Sequence, residues 1–234
     1  MRMVKVIERR KEAKDTESIY FEGCSEALPG QFIMVWLPGI DEFPMSLSRI
    51  GRISSITVLK KGAGTEALMS ADEFSIRGPF GNGFSLCRGK EKDREREKIL
   101  IAGGIGMASL LPIVARDDIV FLGAKSKDYL PFVDEMRARG ADVRIATDDG
   151  SCGFKGSVID LIESLPGHLC SEQIYACGPM EMLRSLYEQG IDAEASLESY
   201  MKCAIGICDS CTINGFIVCR EGPVVKLDRI FGSR

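Results

Sequence analysis

The chain has 234 residues, a formal net charge of −4 and 45% hydrophobic residues. That length suits two modest domains plus an appendage, and the composition is that of a globular protein. No apolar run is long enough to span a bilayer, no basic tract stands alone to hold nucleic acid, and the charged, alternating residues 1–11 do not read as a secretion signal.

Residues 1–95 read as short strands at 4–7, 19–21, 32–36, 53–59 and 74–76, parted by turns such as Leu28-Pro29-Gly30 and Pro38-Gly39. Short strands with turns at this spacing predict a small β-barrel. One short helix is predicted from Thr65 through Met69. The charge run 90–98 reads as a solvated linker and sets a domain boundary.

Residues 98–195 change rhythm. A buried-strand run at 99–102 ends in Gly103-Gly104, and a helical stretch follows to residue 115. Strands are predicted at 119–122, 143–146 and 174–176. Helices are predicted at 132–139, 158–165 and 180–189, the first and last of these closed by Gly140 and Gly190. Such alternation means βαβ units and a parallel sheet with right-handed crossovers. The single histidine, His168, follows Pro166-Gly167 in a turn and reads as a solvent-facing loop residue, so histidine acid–base chemistry is not expected. Residues 196–234 are short, rich in Cys and Gly and weakly periodic. A segment of this size cannot bury a core alone and calls for a metal or disulfides.

The cysteines carry the strongest signal. There are nine, an odd number without an export signal, which argues against a disulfide scaffold and for a reducing cytoplasm. Four of them, Cys203, Cys208, Cys211 and Cys219, crowd into C-x4-C-x2-C-x7-C. That spacing is the plant-type ferredoxin arrangement for a [2Fe–2S] cluster. Three close thiolates must wrap one side of a compact cluster, and Gly206 can take the positive φ that so tight a turn needs. Cys219 is expected to return from a hairpin turning at Asn214-Gly215. A structural zinc site is the competitor, but it favours paired C-x2-C knuckles, and only one C-x2-C is present. Cys24, Cys87, Cys152 and Cys170 read as small buried hydrophobes or bystanders.

Gly103-Gly104-Ile105-Gly106 follows a strand and opens a helix, the context of a dinucleotide-phosphate turn. Ser109 stands where the full G-x-G-x-x-G has its last glycine. No acid ends the second strand, where Gly123-Ala124-Lys125-Ser126 stands. Lys125 and Lys127 reach a phosphate or solvate the loop, so NAD and NADP both stay open. Thr147-Asp148-Asp149-Gly150 and Cys177-Gly178-Pro179-Met180 end the third and fourth strands, on the rim where a nicotinamide would lie. Two ordinary strand-to-helix turns would look the same.

Taken in order, these pieces resemble the ferredoxin–NADP reductase superfamily. Over essentially the whole chain they resemble most closely the family of electron-transfer subunits of NAD-dependent (type B) dihydroorotate dehydrogenases. Pro44-Met45-Ser46-Leu47 resembles the flavin-binding R-P-x-S segment, Gly62-Ala63-Gly64-Thr65 the flavin-pyrophosphate turn, and Gly78-Pro79-Phe80-Gly81-Asn82-Gly83-Phe84 the segment closing the barrel. Glu198-Ser199-Tyr200-Met201-Lys202-Cys203 leads into the cluster as in that family. One departure stands out: Phe43 replaces the arginine that precedes the proline and meets the FAD phosphates. Lys60, Lys61, Arg49 or the helix N-terminus at Thr65 are the substitutes.

The resemblance implies an FAD-binding β-barrel domain (1–95), an NAD-binding α/β domain with a parallel sheet (98–195) and a small C-terminal [2Fe-2S] subdomain (196–234). It also implies a relay. A partner catalytic subunit oxidises dihydroorotate on its own FMN, and electrons pass one at a time through the [2Fe–2S] cluster to FAD and then as hydride to NAD⁺. The family pattern implies two of these chains on a dimer of catalytic subunits. Expected cofactor contacts are Pro44, Met45, Ser46, Leu47, Lys60, Gly64, Thr65, Gly103, Gly104, Gly106, Asp148, Cys177, Gly178, Pro179 and Met180, with no side-chain acid or base, because the cofactors carry the chemistry. Two rivals remain: a related reductase subunit serving a ferredoxin, sulfide or hydrogenase partner, and a redox sensor with a structural metal.

Overall fold

The computed structural model describes residues 1–86, 97–166, 169 and 173–232. Most of the expected linker 90–98 lies outside these residues, as do Cys87, His168 and Cys170.

The first eighty residues close into a barrel. Its strands are β1 (Arg2–Ala13), β2 (Thr16–Glu22), β3 (Phe32–Leu37), β4 (Asp41–Arg49), β5 (Ile53–Leu59) and β6 (Glu73–Phe80), with α1 (Ala63–Ser70) between the last two. The order around the barrel is β1-β2-β5-β4-β3-β6, and β6 pairs back onto β1. Alternating residues such as Ile19, Phe21, Ile33, Val35, Ile56 and Phe74 fill the interior, each at most 1% exposed. Burying a side chain of this size contributes roughly 1.5–3 kcal/mol.

The sequence reading missed β4. Asp41, Glu42 and Pro44 are poor strand residues, and the strand forms because β3 and β5 flank it on both sides. The helix predicted from Thr65 begins two residues earlier, at Ala63.

The second body is a seven-stranded sheet. β7 (Ile99–Gly103), β8 (Ile119–Ala124), β9 (Asp142–Thr147), β10 (Phe154–Lys155), β11 (Ile174–Cys177) and β12 (Glu194–Ser196) run parallel. Its helices are α2 (Met107–Leu110), α3 (Val133–Ala138), α4 (Val158–Glu163) and α5 (Met180–Glu188). The helical stretch expected to run to residue 115 is broken. One α turn, α2, lies between two 3₁₀ turns, and the backbone is extended again at Val114. Gly104, at φ 51°, and Pro112, which lacks an N–H, both work against a longer helix.

The cysteine-rich segment is built into that sheet. A short hairpin, β13 (Thr212–Ile213) and β14 (Phe216–Ile217), leads to α6 (Val218–Glu221). The chain then adds β15 (Val224–Lys226) antiparallel to β12 and finishes with α7 (Leu227–Phe231). The full order is β10-β9-β8-β7-β11-β12-β15. Met201, Ala204, Cys211, Phe216 and Cys219 share one apolar cluster with Ile101, Ala176 and Leu186 of the sheet and its helix. The segment thus borrows the core that it is too short to make.

Candidate functional site

The order of the sheet reverses between β7 and β11, and open α/β sheets bind ligands at the carboxyl ends of strands at such a point. A cleft opens there against the barrel. Pro44, Met45 and Ser46 of β4 line it, with Thr57 and Leu59 of β5 and Lys61 and Thr65 around the start of α1. The sheet contributes Ile105, Gly106, Ser109 and Cys177, and residues 197–199 with Met201 close the side leading to the cysteines. The walls are mostly apolar, with a few convergent hydroxyls and one carboxylate, Glu198, which suits a flat aromatic ring system with a polar edge.

Two glycines let the strand ends meet. A Cβ on Gly106 would lie 2.4 Å from the carbonyl oxygen of Cys177. One on Gly103 would lie 2.7 Å from Cδ of Pro179 and 3.4 Å from Cα of Gly178. Gly103 therefore packs on Gly178, Pro179 and Met182, and Gly106 on Cys177 and Gly178. Met180 opens α5. Gly104 has open space at its Cβ position but a positive φ of 51°.

Cys177 is buried under Ser109 and Ser196. Desolvation, reinforced by the charge of Glu198, pushes its thiol up to about 12. It is a neutral, weakly polar wall at ordinary pH, not a thiolate nucleophile.

Not every expected contact lines the cleft. Leu47 is 1% exposed in the barrel core, because successive strand residues face opposite ways. Asp148 is exposed beyond β9, its N–H donating to the Ala124 carbonyl at 3.1 Å. Gly64 packs under Phe43, whose Cζ lies 2.5 Å from the Cβ position of the glycine. The Phe43 ring occupies the place of the missing arginine and carries no charge there. Of the suggested substitutes, Lys60 is paired with Glu66 at 2.5 Å. Arg49 points at Glu135 and Tyr20, bridging the barrel to α3. Lys61 is the cation that lines the cleft. Thr65 Oγ1 accepts from the N–H groups of Lys61 and Gly62, at 2.9 and 3.2 Å, and so fixes the backbone of that turn.

The four cysteines stand as two pairs. Cys203 touches Cys208, and Cys219 touches Cys211, with Cys219 also feeling the charge of Cys203. The first pair lies toward the surface and the second is buried. The N–H groups of Ile205 and Ile207 donate to Cys203 Sγ at 3.4 and 3.5 Å, and that of Cys219 donates to Cys211 Sγ at 3.4 Å. Led by the Ile205 N–H, the backbone donors of Ile205, Ile207 and Cys208 hold the Cys203 thiol down at about 6. Ala204, Gly206 and Asp209 all take positive φ, which aims the backbone at sulfur. Asn214 and Gly215 also have positive φ, as a two-residue type I′ hairpin requires. Among the described residues, no three His, Cys, Asp or Glu side chains converge to hold a single metal ion. Two thiol pairs held by one loop of N–H donors fit a two-iron cluster in the chemistry of their donors.

The sequence reading passed over Arg77 of β6. Its Nε and Nη2 grip both oxygens of Glu42, at 2.6 and 2.9 Å. Its Nη1 and Nη2 also donate to the carbonyls of Cys203 and Lys202, each at 2.8 Å. No spacing rule marks this residue, since its partners lie 35 and 126 positions away.

Residues 198–231 match the family described as the iron–sulfur cluster binding domain of dihydroorotate dehydrogenase B. A protein of Thermoplasma acidophilum named "Probable dihydroorotate dehydrogenase B (NAD(+)), electron transfer subunit" is 42% identical over 98% of this chain and 91% of its own length. A protein of the same name from Pyrococcus abyssi is 37% identical over 100% and 93%. Among solved structures, one of an NADH-dependent reduced ferredoxin-NADP oxidoreductase superposes with a TM-score of 0.81 at 25% identity, covering 98% of this chain and 90% of that one. Phthalate dioxygenase reductase shares the fold, with a TM-score of 0.63 at 18% identity over 90% and 85%. The chain belongs to the family of electron transfer subunits of NAD(+)-dependent dihydroorotate dehydrogenase B.

Proposed function

We propose that the chain carries electrons from a catalytic subunit that oxidises dihydroorotate, through a [2Fe–2S] cluster and FAD, to NAD⁺ in pyrimidine biosynthesis. One observation carries this reading. Residues 197–199 and Met201 line the cleft, and Cys203 begins the cysteine loop two residues later, so one stretch of chain is both cleft wall and cluster loop. A cluster exchanges single electrons and a nicotinamide exchanges hydride, and a flavin converts between the two when bound.

The residues then divide the work. Pro44, Met45, Ser46 and Thr65 hold the flavin from the barrel side, and Lys61 meets its phosphates. Gly103, Gly104 and Gly106 let the nicotinamide dinucleotide approach the backbone, and Gly178, Pro179 and Met180 shape the opposite rim. Cys177 and Ser109 form a wall that carries no charge. The four cysteines hold the cluster. Exposed Ile205 and Ile207, within the ligand loop, offer an apolar surface to the catalytic subunit. That subunit carries FMN, the assembly holds two copies of each chain, and its setting is the reducing cytoplasm.

The likeness to the ferredoxin-NADP oxidoreductase favours a second reading, a reductase subunit serving a ferredoxin, sulfide or hydrogenase partner. The test begins with the anaerobically purified chain, assayed for flavin, iron, sulfide and zinc. One flavin, two irons and two sulfides per chain, bleached by NADH, support the relay. Zinc without flavin overturns it. The subunit that co-purifies then separates the two readings: dihydroorotate either reduces the assembled complex or does not.

A further inference from the structure

Arg77 ties three parts of the molecule together. It stands on β6 of the barrel, and its guanidinium fork is filled on one side by Glu42 of β4. Glu42 pairs with Trp36 and lies two residues before Pro44 and four before Ser46, on the same face of a strand that lines the cleft. On its other side the guanidinium donates to the carbonyls of Lys202 and Cys203. It also stacks over the Phe80 ring, 5.4 Å from its centre. These contacts are three-quarters shielded from solvent, with Arg77 and Glu42 side chains each 25% exposed. A planar fork with bidentate carboxylate contact and two carbonyl acceptors is a use of arginine that lysine cannot copy.

Resting on the reading that the cysteines hold a [2Fe–2S] cluster, we propose that Arg77 is a positioning residue that locks the cluster loop to the flavin-binding strand and raises the cluster's reduction potential. Two physical effects are combined here. Electron transfer rates fall steeply with distance, so a loop fixed to the strand that holds the flavin keeps the gap constant. Reduction also adds one negative charge to the cluster, so a cation beside a ligand residue favours the reduced form. The guanidinium and the Cys203 thiol are close enough to feel each other's charge. Glu42 lies behind the guanidinium and opposes it, so the two residues pull the potential in opposite directions.

That opposition is the test. The readouts are iron content and an EPR-monitored anaerobic redox titration of the full chain, for wild type, Arg77→Gln, Arg77→Lys and Glu42→Gln. Arg77→Gln is expected to lower the midpoint potential and Glu42→Gln to raise it by a smaller amount. Arg77→Lys, which keeps the charge but loses the fork, is expected to stay nearer the wild-type potential and to broaden the EPR signal as the loop loosens. If Arg77→Gln loads no iron, Arg77→Lys and Glu42→Gln carry the test: a near-wild-type potential in the first with a raised potential in the second supports the inference, and an unmoved or lowered potential in Glu42→Gln overturns it. A purely structural bracket would shift Arg77→Gln and Glu42→Gln in the same direction, or leave both unmoved, and either result overturns the inference while the cluster reading stands. A wild-type chain without a two-iron signal overturns the cluster reading and this inference with it.

Discussion

The cysteine loop and the cleft are neighbours built on opposite plans. All four cysteines fall within seventeen residues, and their geometry comes from local turns at Ala204, Gly206, Asp209 and the Asn214-Gly215 hairpin. The cleft draws on β4, β5, α1, the turn after β7, the end of β11 and residues 197–201, with no more than three consecutive residues from any one element. A site of the first kind fails completely when one member is lost. A site of the second kind degrades by degrees, because its walls come from several separate elements and no single substitution removes more than one of them.

The largest expected effect follows from that contrast. Cys208→Ser should abolish the two-iron signal and reduce bound iron several-fold, while flavin content changes little. Iron and flavin assays on one sample check this, and equal loss of both would show that loop and cleft are a single cooperative unit. Gly106→Val comes next. Its Cβ would enter the Cys177 carbonyl, 2.4 Å away, so the two strand ends must part. Overpacking of this kind costs about 1–3 kcal/mol, read by denaturant unfolding, and NADH reduction should slow even where flavin is still bound.

How much of this was legible follows the same division. The cysteine loop could be read because its four thiols obey a spacing rule, and the Asn214-Gly215 turn because it obeys a turn rule. The parallel sheet was visible in its alternating apolar runs. Strand β4 was not, since Asp41, Glu42 and Pro44 carry no strand signal and its neighbours impose the conformation. Nor could sequence choose among Lys60, Lys61 and Arg49. Only the fold shows Lys60 engaged with Glu66 and Arg49 turned toward α3, leaving Lys61 on the cleft. Arg77 was silent for the same reason: its meaning lies in partners distant along the chain.

Smaller effects sharpen the comparison on the cleft side. Lys61→Ala should weaken flavin binding by about tenfold, roughly 1.4 kcal/mol, in proportion to one charge-assisted contact on an exposed turn. Lys60→Ala should leave it almost unchanged. Equilibrium dialysis of FAD distinguishes the two, and equal losses would return the phosphate contact to the whole turn. The smallest effect is a pH dependence. Burial raises the Cys177 thiol from near 9 to about 12, so the folded chain keeps a proton that the unfolded chain releases. The stability tied to this thiol is complete below pH 9 and declines as pH rises toward 12. Unfolding titrations across that window should show a shallower decline in Cys177→Ala than in wild type.

The ladder between β12 and β15 has a consequence for how the protein is made. All four cysteines proposed to hold the cluster lie between these two strands, which pair Glu194 with Lys226 and Ser196 with Val224. On the ribosome, the barrel can close as soon as residue 80 emerges, but the sheet keeps a bare edge at β12 until residues 224–226 follow. The ligands emerge inside that interval. Iron gathered by the nascent loop draws its two ends together and hastens covering of the edge, because binding at such a site is itself a folding step. A cell short of iron is therefore expected to meet this chain first as a problem of aggregation, and only afterwards as a loss of electron transfer.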